Sequence, residues 1–416
     1  MKWTSPLAAG LLAAAWGMAC LGARGAQEEP QDLPQIISDE SAGDWVVDRF
    51  AGNSTAGPVF IQGPAREAGG LGRCGACPLP DGRVLVPFRE GLAEVDAGGT
   101  LRLLTEASPL TGTTGQVTAC VLAWNPADKR VYTGGTNCIG RLVERPDGPC
   151  EIEAVAGTPG KPGFTDGPAK EATFTRVDSI CINGRGVIFV LDYNQRIRKL
   201  ENGQVATLTD QVHSGKLVDG PLDQARFSLI GLGGNLCGGE DDDVLYLSDH
   251  WNFAVRRIDL KTSSVSTVAG MPKPSGDRQP IPKQPATLGR LPAGGVSPRG
   301  AREKRYNANS DGPALTWASF NSGCAYVCWD GFHKALWCGG PDESRFRWLK
   351  GGQVLTVLGS KGGDKWPRDG LGVPGDSVKL PWNAVVAVDA QGRVYLSASS
   401  DPNGMWRAYN RKEVKP

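Results

Sequence analysis

A short motif recurs along the chain at steps of about fifty residues, and this periodicity limits the folds that the sequence can adopt. The six residues that begin at Gly63 reappear with one conservative change at Gly167, 104 residues later. The same turn, with an aspartate before the glycine as at Asp166-Gly167, returns at Gly220, Gly312 and Gly370. A period of this length is typical of proteins in which each repeat is one supersecondary unit that packs against its neighbours.

Two further elements recur with this turn. One is Asn-x-x-apolar-Arg, with full copies that begin at Asn194, Asn252 and Asn403 and looser ones that end at Arg141 and Arg347. The other is an apolar strand that ends in glycine, at Gly52, Gly157, Gly270 and Gly359.

Together these elements resemble the NHL repeat, and the copy at 154–208 resembles it best. The resemblance covers about 45–411 and weakens in the first two copies. It implies a β-propeller fold and says little about activity, because a fold of this kind hosts many unrelated functions.

The strand pattern within the best copy agrees with a propeller blade. Four short β-rich runs, at 179–183, 187–192, 196–200 and 204–208, are separated by glycine and asparagine turns. Four antiparallel strands make one blade, and a ring of blades leaves only short, protected edges. Six copies are counted by their third strands, which carry Leu92, Arg141, Arg198, Arg256, Arg347 and Arg407.

The last copy has only three strands before the chain ends, and a β-rich segment at 45–50 precedes the first full copy. We therefore predict an all-β, six-bladed propeller of four-stranded antiparallel blades, closed by an N-terminal strand that joins the last blade. One propeller domain would then span 44–416, interrupted by a basic, proline-rich insertion at 271–309.

The N-terminus predicts export. Residues 1–26 resemble a signal peptide, with a basic residue, an apolar stretch and small residues near the cleavage point, and 27–43 would be a flexible leader. No later stretch approaches the roughly 20 apolar residues of a membrane span. The alternative of a lipid anchor at Cys20 stays open, because Gly17-Met18-Ala19-Cys20 resembles a loose lipobox. We expect a periplasmic, extracellular or cell-surface protein.

Composition excludes two classes. The formal net charge of +1 gives no electrostatic case for binding nucleic acid. Gly and Pro are abundant (57 and 30 residues), but twelve Trp residues supply core-forming surface that disordered chains lack.

The eleven cysteines allow two interpretations. Cys77, Cys181, Cys237 and Cys328 lie near the ends of the first strands of their blades, which favours packing between blades, because free Cys is a small, readily buried hydrophobe. Export also permits disulfides. The pairs to test are Cys74–Cys77, Cys120–Cys138 and Cys328–Cys338.

Few residues point to metal chemistry. The three histidines are His213, His250 and His333, and the last two are predicted in corners at opposite ends of the ring, where they could not share one metal. The run 241–243 contains three aspartates, which favours a solvated turn over a calcium site. We therefore predict no cofactor and leave a structural calcium or zinc ion open.

The recurring aspartates and arginines favour structural roles. Each aspartate of the Asp-Gly-Pro turn is expected to accept hydrogen bonds from its own turn, as such residues often do. Each third-strand arginine is expected to brace the loops of an adjacent blade, with an aspartate as its partner.

The insertion is the least repetitive feature. Its formal charge is +6, with seven prolines, and it would emerge on the face of the Asp-Gly-Pro loops. It is either a solvated loop or an arm that docks a partner, because long loops on rigid scaffolds often carry function. The candidate partner-binding residues are Arg299, Arg302, Lys304, Arg305, Trp366 and Trp382.

The predicted function is thus a non-enzymatic binding or scaffold module for a protein or glycan partner. The alternative is a metal-dependent lyase or hydrolase, similar to propeller lactonases, that acts at the central mouth. No Gly-x-Ser-x-Gly motif or phosphate-binding loop is recognisable in the sequence.

Overall fold

The structure is a computed structural model of the chain. It describes residues 41–52, 61–69, 75–88, 91–106, 122–145, 149–193, 196–210, 213–229, 235–270, 311–315, 318, 320, 324–339, 345–359, 372–379, 383–398 and 404–413. The described helices are four single 3-10 turns: Ala42–Asp44, Ala65–Glu67, His250–Asn252 and Gly375–Ser377.

Six antiparallel sheets form six blades, as predicted, and each is built from four consecutive strands from the innermost outward. Blade 1 contains Cys77–Pro78, Val84–Phe88, Gly91–Val95 and Thr100–Glu106, and blade 2 contains Leu122–Asn125, Arg130–Gly134, Cys138–Val143 and Glu151–Gly157. Blade 3 contains Val177–Ile182, Ile188–Asp192, Arg196–Glu201 and Gln204–Thr209, and blade 4 contains Leu236–Gly238, Val244–Asp249, Ala254–Asp259 and Ser264–Ala269. Blade 5 contains Tyr326–Asp330, Ala335–Gly339, Phe346–Lys350 and Gln353–Leu358, and blade 6 contains Asn383–Val388, Val394–Ala398, Met405–Asn410 and Trp45–Ala51. A separate pair, His213–Val218 and Arg226–Ser228, lies between blades 3 and 4 in the sequence.

The recurring Gly-Pro motif is more than a turn. It adds a two-residue fifth strand to the outer edge of a blade, as at Gly63–Pro64, Gly167–Pro168, Gly220–Pro221 and Gly312–Pro313, with Val373–Pro374 in the same place on blade 6. Glycine suits the position because its backbone φ there is positive, for example 126° at Gly167. Proline is tolerated because an edge strand does not need its missing N–H group. Blade 2 has no such strand within the part of the chain that is described.

The innermost strands contact one another in sequence around the ring, from blade 1 to blade 6 and back to blade 1. The residue that faces the next blade is small at the same register position in all six, namely Cys77, Ala123, Cys181, Cys237, Cys328 and Ala387. Since six strands converge on one axis, only small side chains fit at this level. The four thiols pack in the hydrophobic clusters between blades, in agreement with the packing interpretation.

An N-terminal strand closes the ring, which confirms the central fold prediction. Trp45–Ala51 pairs antiparallel with Met405–Asn410, so that Val47 lies opposite Ala408. The fully buried Trp45 contacts Trp337 and Trp348 edge-on, with ring centroids 5.6 and 6.1 Å away. Both ends of the propeller sequence are therefore held in blade 6, which packs against blade 5.

Candidate binding cleft between blades 1 and 2

Blades 3 and 4 hold an arginine inside a closed hydrogen-bond network. In blade 3 the guanidinium of the fully buried Arg198 bonds Asp166 at 2.8 Å and Asp192 at 3.0 Å, and lies over the ring of Phe174. The carbonyls of Thr165 and Thr173 accept further bonds at 2.7 and 2.6 Å. The arginine thus fixes the segment that enters its own blade, rather than the loops of an adjacent blade as expected.

Blade 4 repeats this network. Arg256 bonds Asp219 at 2.7 Å and Asp249 at 2.8 Å, and it lies over Phe227. Burial raises the pKa of Asp249 even though Arg256 opposes the shift. A buried carboxylate of this kind depends on its cation, because removal of one partner would leave an uncompensated charge.

The aspartates of the Asp-Gly-Pro motif serve this network and not their own turn, which corrects the sequence expectation. Asp166 accepts hydrogen bonds from the backbone N–H and the hydroxyl of Thr207 on the outermost strand. Asp219 makes the same two bonds with Thr267. In blade 5 the hydroxyl of Thr356 bonds Asp311. The motif therefore links the outer edge of a blade to its third strand.

Only three of the third-strand residues grouped by sequence are equivalent in register. Arg198, Arg256 and Arg347 lie opposite a threonine of the outermost strand. Arg141 lies opposite Glu153 and Arg407 opposite Asp48, each one residue later than the equivalent position, and Leu92 is one residue earlier. A one-residue shift turns a side chain to the other face of a sheet, so Arg141 is half-buried at the surface and bonds Glu153.

A cleft of about 650 Å³ opens between blades 1 and 2, where the closed network is missing. It is lined by Arg83, Arg102, Leu103, Leu104, Thr105, Glu144, Arg145, Pro149 and Cys150. The two blades are joined at the cleft by a hydrogen bond from the backbone N–H of Cys150 to the carbonyl of Leu104, 2.7 Å long.

Glu94 holds two of the lining arginines from below. Its side chain is almost fully buried, and its two oxygens accept hydrogen bonds from Arg83 (2.9 Å) and from Nε of Arg102. Arg83 also bonds Asp81 at 2.8 Å and reaches across to Glu144 of blade 2 at 3.3 Å. The carboxylate fixes both guanidinium groups, and the side chain of Arg102 remains 60% exposed.

The opposite wall belongs to blade 2. There Arg145 bonds Glu151 through one terminal nitrogen, and its side chain is 55% exposed. Glu144 is 61% exposed. The cleft therefore combines several half-used ion pairs on two rigid sheets, and each pair keeps hydrogen-bonding groups directed at solvent.

Cys150 contributes an apolar wall and not a nucleophile. Burial raises the pKa of its thiol, so that it is protonated at neutral pH. Burial likewise raises the pKa values of Cys77, Cys138, Cys181 and Cys328 to about 12. The thiols of these residues are therefore unreactive.

A second cleft, of about 490 Å³, lies on the other side of blade 2, toward blade 3. Its lining includes Tyr132, Arg141, Arg185 and Glu201. The hydroxyl of Tyr132 bonds Asp128 at 2.6 Å. Blade 2 is thus flanked by a polar cleft on each side.

The structure separates the histidines as predicted. His250 approaches the carbonyl of Cys324, 3.3 Å away, at the start of the innermost strand of blade 5. His333 follows the end of that strand, where it bonds Asp330 at 2.7 Å and Glu413 at 3.0 Å. A strand rises about 3.3 Å per residue, so the two imidazoles lie roughly 20 Å apart and cannot share a metal.

The three aspartates at 241–243 tie two blades together. Asp242 accepts a hydrogen bond from the backbone N–H of Gly184, and Asp243 bonds Arg185, both in the first turn of blade 3. Asp241 caps the N–H of Asp243 at 2.8 Å. These bonds use carboxylate oxygens that a calcium ion would need.

One predicted disulfide is wrong. Cys328 and Cys338 are both free thiols, and they lie on opposite faces of blade 5 because Cys328 pairs with Trp337 and Cys338 with Val327. Cys77 and Cys138 are also free. Their proposed partners Cys74 and Cys120 lie outside the described residues.

The candidate partner-binding residues also lie outside the described residues. These are Arg299, Arg302, Lys304 and Arg305 of the insertion, together with Trp366 and Trp382. The cleft residues were missed by sequence reasoning because they belong to no repeat. The one available signal was the weakening of the motif in the first two copies, which are the blades that form the cleft.

No family model and no curated protein matches the chain. Among solved structures, it resembles an auxiliary nutrient binding protein from Bacteroides thetaiotaomicron, with 10% identity and a TM-score of 0.56 over 88% of this chain and 76% of that one. An auxiliary nutrient binding protein from Bacteroides ovatus aligns at 12% identity and a TM-score of 0.52, over the same shares. A protein of unknown function from B. thetaiotaomicron aligns at 11% and 0.57, over 88% and 75%. At these identities the similarity shows the propeller fold.

Within the described ranges, no helix has the length and apolar character that a membrane crossing requires.

Proposed function

We propose that this chain is an exported, NHL-type propeller that acts as a non-enzymatic binding module for a protein or glycan partner, without a resident catalytic metal. The observation that supports this most is the cleft between blades 1 and 2. Its volume of about 650 Å³ falls within the range of small-molecule sites. The side chains of its walls stand on strands and short turns, which hold a site more rigidly than long loops.

Two further points support a binding role. Arg102 is positioned before any ligand arrives, because the buried Glu94 fixes its Nε, and such preorganisation lowers the entropy cost of binding. The propellers similar in fold include proteins named auxiliary nutrient binding proteins. The signal-like segment at 1–26 would place the cleft outside the cytoplasm, where glycans and partner proteins are met.

The test is binding of immobilised glycans and defined peptides to the secreted chain and to two variants. Arg145→Gln removes one wall of the cleft, and Arg141→Gln is the matched control in the second cleft. We expect Arg145→Gln to weaken binding on the order of tenfold, since a hydrogen bond to a charged group contributes about 1.5–3 kcal/mol. Arg141→Gln should bind as the unaltered chain does.

Equal loss in both variants, or loss in neither, would contradict the assignment of the cleft. Metal analysis of the same preparation addresses the alternative of a lyase or hydrolase. A stoichiometric, tightly held zinc or calcium ion would contradict a metal-free binding module.

A further inference from the structure

The charges at the cleft nearly cancel. Three guanidinium groups, those of Arg83, Arg102 and Arg145, face the carboxylates to which they are bonded. These are Asp81, Glu94, Glu144 and Glu151. Three positive charges against four negative ones leave no positive potential that would attract an anion. The single excess carboxylate is the half-open Glu144 or a neighbour, and solvent screens it.

The walls nevertheless offer both donors and acceptors. Arg102 uses Nε for Glu94 and has no other partner within the described chain, so its two terminal nitrogens can donate into the cleft. Arg145 uses one terminal nitrogen for Glu151. Glu144 bonds only Arg83, at 3.3 Å, and keeps acceptor capacity. A ligand group that both donates and accepts therefore fits this surface.

Hydroxyl groups have this property, since each carries one donor and two acceptor lone pairs. The remaining lining, from Leu103, Leu104, Pro149 and Cys150, is apolar and matches the C–H faces of a sugar ring. We propose that the cleft binds an uncharged carbohydrate segment, whose hydroxyls bridge the guanidinium groups of Arg102 and Arg145 and the carboxylate of Glu144. This inference rests on the proposed binding function and names its ligand class.

Charged ligands fit less well. A uronate or an acidic peptide would place its carboxylates beside Glu144 and Glu151, where like charges repel. A basic peptide would meet Arg102 and Arg145, both more than half exposed. An uncharged ligand avoids both costs and leaves every ion pair at the cleft intact.

The experiment is calorimetric titration of the secreted full chain with defined hexamers. The neutral probes are glucan, xylan and mannan hexasaccharides, and the charged probes are a galacturonate hexamer, hexaglutamate and hexalysine. We expect at least one neutral hexasaccharide to bind, with a Kd that changes less than about threefold between about 50 and 500 mM salt, because no net charge is neutralised.

Two variants separate charge from hydrogen bonding. Glu144→Gln removes a charge but keeps an acceptor, so the Kd for a neutral sugar should change by less than about threefold. Arg145→Gln loses part of a donor fork, and its Kd should rise on the order of tenfold. Arg141→Gln again serves as control.

The outcomes are distinct. Selective binding of the galacturonate or of either peptide, with affinity that falls steeply with salt, overturns the uncharged ligand class but leaves the binding function standing. A neutral sugar whose affinity changes tenfold in Glu144→Gln also overturns it. Failure of all six probes to bind overturns the carbohydrate assignment, and the failure of protein partners as well in the binding assay above would overturn the proposed function itself.

Discussion

Blades 3 and 4 and blades 1 and 2 use the same residue types to opposite ends. In blades 3 and 4, one arginine per blade is fully buried and bonded to two aspartates and to backbone carbonyls. In blades 1 and 2 the arginines lie at the rim and bond half-exposed carboxylates around a cleft. The first pair of blades spends its polar groups on the fold, whereas the second leaves them accessible to a ligand.

The difference follows from register. The closed network requires an arginine opposite a threonine of the outermost strand and an aspartate before the Gly-Pro edge strand. Blade 2 has Gly140 at the arginine position, opposite Ala154, and Arg141 one residue later faces outward. A shift by one residue thus changes a structural arginine into a surface one.

Loss of the buried arginine should have the largest effect. Arg198→Met leaves Asp192 buried without its cation, and we expect the free energy of unfolding to fall by about 3–5 kcal/mol. The matched variant Arg141→Met removes a surface ion pair and should cost about 0–1 kcal/mol. Urea unfolding measures both. Similar losses in the two variants would remove the distinction between closed and open blades.

The floor of the cleft should show an intermediate effect. Glu94→Gln keeps the shape of a buried side chain but weakens its bonds to Arg83 and Arg102, so we expect a loss of about 1–3 kcal/mol in unfolding free energy. Glu153→Gln, at an exposed pair in blade 2, is the control and should change stability by less than about 0.5 kcal/mol. A negligible effect of Glu94→Gln would show that nothing at the cleft is preorganised by the fold.

The junction between blades 5 and 6 should respond to pH. Burial lowers the pKa of His333, but its bonds to Asp330 and Glu413 outweigh this effect and raise the pKa above the usual value. The imidazolium therefore stabilises the fold below about pH 6.5, and this contribution disappears as the pH rises through the raised pKa. His333→Gln should lower the Tm more at pH 6 than at pH 9, by thermal unfolding.

His333 also contacts Trp45 of the closing strand, with ring centroids 5.3 Å apart, so this variant tests the seam itself. Glu151→Gln at the rim serves as control and should show no such difference between pH 6 and pH 9. A gap for His333→Gln that grows toward high pH would contradict the assigned direction.

The sequence predicts the architecture well because the repeat reports backbone needs. Strands of the best copy end within two residues of the predicted bounds, and the closing strand pairs as expected. Register is harder to read. Arg141 and Arg407 match the motif in sequence, but bulges in the outermost strands shift their pairing.

The candidate site was not predictable for a related reason. Glu94, Arg102 and Arg145 come together only through packing of two blades, and no spacing in the sequence signals that contact. The pairing of Cys328 with Cys338 failed similarly. Their spacing fits a hairpin, but neighbouring positions on paired strands point to opposite faces.

Location of the bound ligand tests the account most directly. Amide hydrogen exchange of the secreted chain, with and without the tightest-binding neutral hexasaccharide, reports which backbone segments the sugar protects. The account predicts slower exchange at 102–105 of blade 1 and at 143–151 of blade 2, and unchanged exchange in blades 3 to 6. Protection confined to the 2–3 corners or the central strands of those other blades would place the ligand elsewhere and contradict it.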